Sequence, residues 1–172
     1  MEEISKQQRE FLNQFETIKD SLWRFCLSIT GNRFAAEDVL SQTILESFSG
    51  FAKLKNLSAF KSWIFTIAKR ISIRNYNDSG RFIPITDEVC QMLAAEVDEP
   101  HKEEIAELYR AIASLPAPQK EAILLFEING LSRAEVAEIQ NTNVETVKKR
   151  LAAGRQKLKE KLISVSQIGM MA

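Results

Sequence analysis

Apolar residues recur every three or four positions through most of the chain, and nowhere do they alternate convincingly with polar ones. Phe11, Phe15, Ile18, Leu22, Phe25 and Ile29 keep this spacing and predict an amphipathic helix over residues 6–30. Gly31-Asn32 suits a left-handed cap at its end. Phe34, Val39, Ile44 and Phe48 mark a second helix closed by Gly50. Ser58 then reads as the N-cap of a third, with Phe60, Trp63, Ile64, Ile67 and Ile71 as its apolar stripe. The pattern predicts an all-α protein.

Residues 77–103 interrupt the periodicity. They hold Gly80, Pro84 and Pro100 among many acids, and read as a flexible acidic linker with a helical turn near 88–95. Beyond them, Ile105, Leu108, Tyr109 and Ile112 predict a helix that stops at "LPAP". Pro118 suits the first turn of the next helix, which carries Ile123, Leu124 and Phe126 and ends near Asn129-Gly130. The expected organisation is two small helical domains, residues 1–78 and 104–172, joined by a linker over 79–103.

The stretch "LSRAEVAEIQNTNVETVKKRLAAGRQKL" adds two helix starts. Ser132 with Glu135, and Thr142 with Glu145, have capping-box spacing, in which side chains and backbone N–H groups satisfy each other reciprocally. Two starts so close together leave room for one short helix and a turn, the spacing of a helix-turn-helix. Val136 and Ile139 should face inward from the first helix, and Val144, Val147 and Leu151 from the second. Ala137 is small where the helices approach, and Asn141 tolerates a left-handed turn. The outward face of the second helix reads Asn143, Glu145, Thr146, Lys148, Lys149, Arg150 and, further on, Arg155. Such a face suits a recognition helix, with early polar residues at base edges and later bases on phosphates. It also fits an ordinary helical hairpin with a solvated basic face.

Charge sharpens this picture. The 172 residues carry 23 bases and 23 acids, but in alternating blocks. Residues 51–82 hold seven bases against Asp78, and 141–172 hold seven against Glu145 and Glu160, while the intervening blocks are acidic. The blocks are either two polyanion contacts with a separate partner for the acids, or solvated helix faces. Cys26, Cys90 and His101 are too few for a disulfide framework or a standard structural zinc site. The polar, acidic start lacks signal-peptide order, and no apolar run reaches the ~18 residues of a membrane span. A cytoplasmic protein without membrane insertion is expected. With no glycine-rich phosphate loop and no nucleophile–base pairing, neither an enzyme nor a cofactor is expected.

The order of elements resembles the bacterial RNA polymerase sigma factors of the extracytoplasmic-function group, which contain only regions two and four of the sigma family. "LPAPQKEAILLFEINGLSRAEVAEIQNTNVETVKKRLAAGRQKL" is similar to region four, in its Leu-Pro start, its Gly-Leu-Ser and its Thr-Val-Lys-x-Arg-Leu run. "AEDVLSQTILESF" resembles the helix that docks on the polymerase clamp, and "FKSWIFTIAKR" the segment that melts and holds the −10 element. The resemblance implies a factor that binds core RNA polymerase at clamp and flap, contacts promoter DNA, and is restrained by an anti-sigma factor. It implies polymerase contacts from Asp38, Gln42 and Glu46, which share one helical face. It implies −10 contacts from Lys61, Trp63, Phe65, Lys69, Arg70, Arg74 and Tyr76, in a basic groove with aromatic surfaces beside it. Trp63 lies on the expected core stripe, where packing competes with base stacking, whereas Phe65 and Tyr76 lie off it. The recognition-helix face would read the −35 element, and the linker would run near the active centre and RNA exit path.

The chain departs from the family pattern at several places. Ser41-Gln42-Thr43 stands where Gln-Glu-Thr is common, and Arg70 and Arg74 where Asn and Asp are frequent. The usual arginine cluster is thinned to "NYNDSGR". Gln140-Asn141 replaces Leu-Gly, and Glu145 replaces Gly. These departures keep a second possibility open, a sigma mimic that sequesters an anti-sigma factor without touching DNA. A repressor using the helix-turn-helix alone would leave the tryptophan-bearing N-terminal half unexplained.

Overall fold

A computed structural model describes residues 2–79 and 85–171, with side chains described for 5–76 and 85–164. Gly80, Arg81 and Pro84, and the side chains of the tail beyond Ser164, lie outside the described residues. Among the described residues there are helices and turns but no strand. The chain divides into two units, Met1–Ile83 and Pro84–Ala172.

The first unit packs three helices, α1 (Glu2–Thr30), α2 (Arg33–Gly50) and α3 (Phe60–Ser79). Gly31 adopts φ 77° to end α1, and Asn32 caps α2 by accepting from Ala35 N at 2.8 Å. Phe11, Ile18, Leu22 and Phe25 are buried along α1, as its spacing predicts. Around Phe11 gather the rings of Phe48, Phe51 and Phe60, all edge-on at 5.4–5.8 Å between centroids. Each such pair adds ~0.5–1.5 kcal/mol beyond its burial.

Helix α2 corrects the sequence reading. Phe34 is 82% exposed although it serves as an apolar marker in the pattern, and Phe48 packs its ring on Phe11 while keeping 37% of its surface exposed. The buried stripe is Ala36, Val39, Thr43 and Ser47. Small side chains bring α2 close to both α1 and α3. The two hydroxyls stay satisfied by donating to their own helix, Thr43 Oγ1 to Val39 O at 2.6 Å and Ser47 Oγ to Ile44 O at 3.1 Å. The start of α3 also differs. Asn56, not Ser58, is the cap: its Oδ1 accepts from Ser58 N at 3.0 Å and Ser58 Oγ at 2.8 Å, opening a short 3-10 turn, Leu57–Ala59, ahead of α3.

In the second unit, the stretch expected to be linker contributes α4 (Asp87–Ala94). Thr86 caps it by accepting from Val89 N at 3.3 Å, and Val89, Cys90, Leu93 and Ala94 are buried where it packs on α5 (Lys102–Ala113). Arg110 on α5 pairs with Asp87 on α4 and with Glu103 at 3.0 Å, so three charges of this acid-rich region are used within the fold. Pro118 lies in the first turn of α6 (Ala117–Ile123), which continues as a π-turn, Leu124–Ile128. Asn129 N donates to Leu124 O at 3.0 Å to close the wide turn, and Gly130 takes φ 71°. Then come α7 (Arg133–Ile139) and α8 (Val144–Met171). Gly154 allows α8 to meet α6: a Cβ there would stand 2.9 Å from Ile123 Cγ1.

Candidate nucleic-acid interface

Helix α7 begins with the complete capping box, Glu135 N donating to Ser132 Oγ at 3.1 Å and Ser132 N to Glu135 Oε1 at 3.0 Å. The turn after it is held by Asn141 at φ 52° and by Thr142 N donating to Ala137 O at 2.9 Å. The second expected box is replaced: Asn143, not Thr142, caps α8, its Oδ1 accepting from Thr146 N at 2.8 Å. Adjacent cap-competent residues compete, and one residue of register decides which wins. Asn143 therefore spends one lone pair of its Oδ1 on the helix and keeps its amide N–H groups for another partner. Val136, Ile139, Val147 and Leu151 are buried as expected, but Val144 lies at the surface.

The basic face of α8 separates into two classes. Lys148 pairs with its neighbour Glu145 at 3.2 Å, and Lys149, Lys159 and Lys161 are exposed. Arg150 is half-buried and donates to Gln140 Oε1 at 2.9 Å. Gln140 Nε2 in turn donates to Pro118 O and Glu121 Oε1, both at 3.1 Å, so this side chain joins α6, the turn and α8. Arg155 pairs with Glu127 of the π-turn and lies 5.7 Å over the Phe126 ring. Arg133 covers the same ring at 4.9 Å. Arg133 and the Gln140 node are absent from the sequence-derived face; their signal, an exposed base in the first turn of α7 and a polar residue at the turn, emerges only with the neighbours in place.

In the first unit, α2 and α3 bring two predicted sets together. Gln42 Nε2 donates to Asp38 Oδ2 at 3.0 Å along α2. Arg70 donates to Glu46 Oε2 at 3.1 Å, and Arg74 to Gln42 Oε1 at 3.1 Å and Glu46 Oε1 at 3.2 Å. Asn75 Nδ2 donates to Asp38 Oδ2 at 3.5 Å. The expected polymerase face and the expected phosphate contacts thus form one inter-helix ladder. Lys61 and Lys69 are half-buried, and Lys61 Nζ stands 6.0 Å from the Phe65 ring. Trp63 is half-buried beside Phe60, over Gly50. Tyr76 is 47% exposed, and Ile73 on the same helix is exposed with it. Phe65 corrects the sequence reading. It is fully buried, 4.9 Å from the Phe25 ring, because α3 is packed on by both α1 and α2 and its buried face is wider than one stripe. Its ring is closed to a base.

Among the described residues no group of three or more His, Cys, Asp or Glu is placed to hold a metal ion. Burial pushes the Cys26 thiol up to about 12 and also raises Cys90, so neither is a ready thiolate. Burial lowers the Lys120 ammonium, although Glu121 nearby opposes the shift. Among the described residues no helix is long and apolar enough to cross a membrane.

Comparison with known proteins accords with this geometry. Residues 15–82 match the family described as Sigma-70 region 2, and residues 105–158 match Sigma-70, region 4. The ECF RNA polymerase sigma factor EcfG of Rhodopseudomonas palustris is 28% identical over 80% of this chain and 77% of its own length. The RNA polymerase sigma factor SigV of Bacillus subtilis is 28% identical over 77% of this chain and 79% of its own. Among solved structures, the sigma factor RpoE in complex with the anti-sigma factor NepR, from Bartonella quintana, is similar with a TM-score of 0.74. It is 20% identical, over 90% of this chain and 97% of that one. CnrH in complex with the cytosolic domain of CnrY follows, with a TM-score of 0.68 and 20% identity over 94% and 92% of the two chains.

Proposed function

Because this chain belongs to the sigma-70 family and carries regions 2 and 4 of its extracytoplasmic-function group, we propose that it recruits core RNA polymerase to a subset of promoters. In this reading residues 1–78 dock on the polymerase clamp and open the −10 element, and residues 104–172 read the −35 element and meet the flap. Residues 79–103 connect the two, with α4 held against the second part. The observation that carries the reading is the pairing of both regions, in order, each with its own basic surface.

Asp38, Gln42 and Glu46 face the clamp in this scheme. Lys61, Lys69, Arg70 and Arg74 contact −10 phosphates, Tyr76 offers the accessible ring, and Trp63 an edge. On α8, Lys148 and Lys149 bind phosphate, while Glu145, Thr146 and the Asn143 amide lie nearest base edges. Similarity to the sigma factor RpoE in complex with the anti-sigma factor NepR supports an anti-sigma partner for this chain too. Work of this kind is done in the cytoplasm.

Run-off transcription with purified core polymerase tests the proposal. Initiation at specific start sites on a genomic promoter library is expected. A protein that binds an anti-sigma factor but stimulates no promoter would be a mimic instead.

A further inference from the structure

Glu46 stands where the two proposed surfaces of the first unit meet. Its two carboxylate oxygens are divided between two guanidinium groups, Oε2 taking Arg70 at 3.1 Å and Oε1 taking Arg74 at 3.2 Å. The arginines sit one turn apart on α3, and Gln42 lies one turn from Glu46 on α2, where it holds Arg74 as well. Pairing runs antiparallel, with Asn75 reaching back to Asp38. Both arginines stay largely open to solvent, 63% and 49%, while Glu46 is 35% exposed. One acid therefore neutralises half the charge that the pair could offer a polyanion, and aims both forks at α2.

We propose that Glu46 is a positioning residue that sets the nucleic-acid affinity of the unbound chain. It keeps Arg70 and Arg74 on α2, and they turn to a phosphodiester backbone once a basic protein surface takes over the Glu46 carboxylate. Exposed ion pairs of this kind are weak and are exchanged readily for a better partner. Clamp docking and strand capture are thereby linked through a single carboxylate, so tight binding to single-stranded DNA follows polymerase binding. The inference rests on the sigma reading for the identity of the basic surface, but its first test needs no polymerase.

The test uses the full chain, a fluorescent single-stranded DNA oligonucleotide of random sequence, and a series of salt concentrations. Glu46→Gln should tighten binding about three- to tenfold. It should also steepen the salt slope by roughly 1, since each further phosphate neutralised on a single strand adds about 0.7. Glu10→Gln, at an exposed position on α1, changes net charge equally and should change little. In an Arg70→Gln/Arg74→Gln background, Glu46→Gln should have no effect. In complex with core polymerase, the ratio between Glu46→Gln and the parent chain should fall toward one. Unchanged affinity in Glu46→Gln, an equal rise in Glu10→Gln, a rise surviving loss of both arginines, or a full-sized ratio in the holoenzyme would each overturn the proposal. Failure of run-off transcription by the parent chain would instead sink the sigma reading, whatever the free chain does with DNA.

Discussion

Gly154→Ala is expected to destabilise the second unit, although glycine-to-alanine changes inside helices ordinarily stabilise. Alanine gains about 1 kcal/mol over glycine in a helix interior. Against that, the new Cβ would lie 2.9 Å from Ile123 Cγ1 and 3.3 Å from Cδ1. Ile123 is branched at Cβ, 1% exposed and enclosed where α6 packs on α8, so it has little room to move aside. Forcing an extra methyl into such a site costs roughly 1–3 kcal/mol. The net is a loss of about 1 kcal/mol, which makes local opening about fivefold more frequent. Hydrogen exchange of the α6 and α8 amides, measured on the whole chain, should quicken by that factor. The cause is separable with Ile123→Ala, which removes both offending atoms. In that background Gly154→Ala should turn stabilising by about 1 kcal/mol, and exchange should slow. Slower exchange on introducing Gly154→Ala into the parent chain would refute the argument, because it would show that α6 and α8 do not need a glycine to approach.

Other outcomes follow from the same geometry. Lys149→Ala should weaken promoter binding with the melting temperature unchanged, while Arg155→Ala should lower both, since Arg155 is tied to Glu127 and covers Phe126; equal melts for the two would count against dividing the α8 bases into two classes. Arg110→Ala should loosen the start of α4 on α5 while its buried side chains keep it docked, seen as modestly faster exchange at Val89–Leu93 with α8 unaffected, and uniform change across the unit would contradict it. Cys26 keeps its proton in the folded state to about 12 and loses it near 9 when unfolded, so the unfolded chain binds fewer protons between those values. Stability of the first unit, followed by its two tryptophans, should then be independent of this group below pH 9 and fall above it, by up to about 1.4 kcal/mol per pH unit. Cys26→Ala should flatten that slope, and an unaltered slope would assign it to other groups.

What the sequence disclosed depended on whether the deciding contact was local. The capping box at Ser132 and Glu135 spans three residues, and the left-handed Asn141 is set by its own turn; both are visible without a fold. Over most of its length helix α1 buries one face, so its stripe of Phe11, Ile18, Leu22 and Phe25 is plain; only near its end, at Phe25–Ser28, is it buried all round. Helix α2 reverses the usual rule, turning alanine, valine and hydroxyls inward and leaving Phe34 and Leu45 outside, and its large residues mislead any reading by size. Phe65 misleads for the opposite reason, since α3 is covered on two sides and a residue off the stripe is still core. At the candidate sites the local signal was composition alone. Lysines and arginines look alike in a charge count, but the partners of Arg70 and Arg74 lie 24 to 32 positions away along the chain in the ladder of α2 and α3, and that of Arg155, Glu127, lies 28 away.

Those partners also change the meaning of the zero net charge. The alternating blocks suggest acids turned to one macromolecule and bases to another. Instead, acids are spent on bases within each unit: Glu46 on Arg70 and Arg74 and Glu127 on Arg155 across neighbouring blocks, Asp87 and Glu103 on Arg110 inside one block. Arginine is the residue drawn into these pairs, as expected for a planar fork that can serve two acceptors at once. Lys149, Lys159 and Lys161 of α8 remain exposed, point charges on flexible stems, and in the proposed reading they supply the helix's attraction for a polyanion. Part of the chain's balance of charge is therefore met inside the fold, where Glu46, Asp87 and Glu127 are each held by an arginine of another helix, and under the proposal above Arg70 and Arg74 turn to a phosphate when a basic surface takes the Glu46 carboxylate.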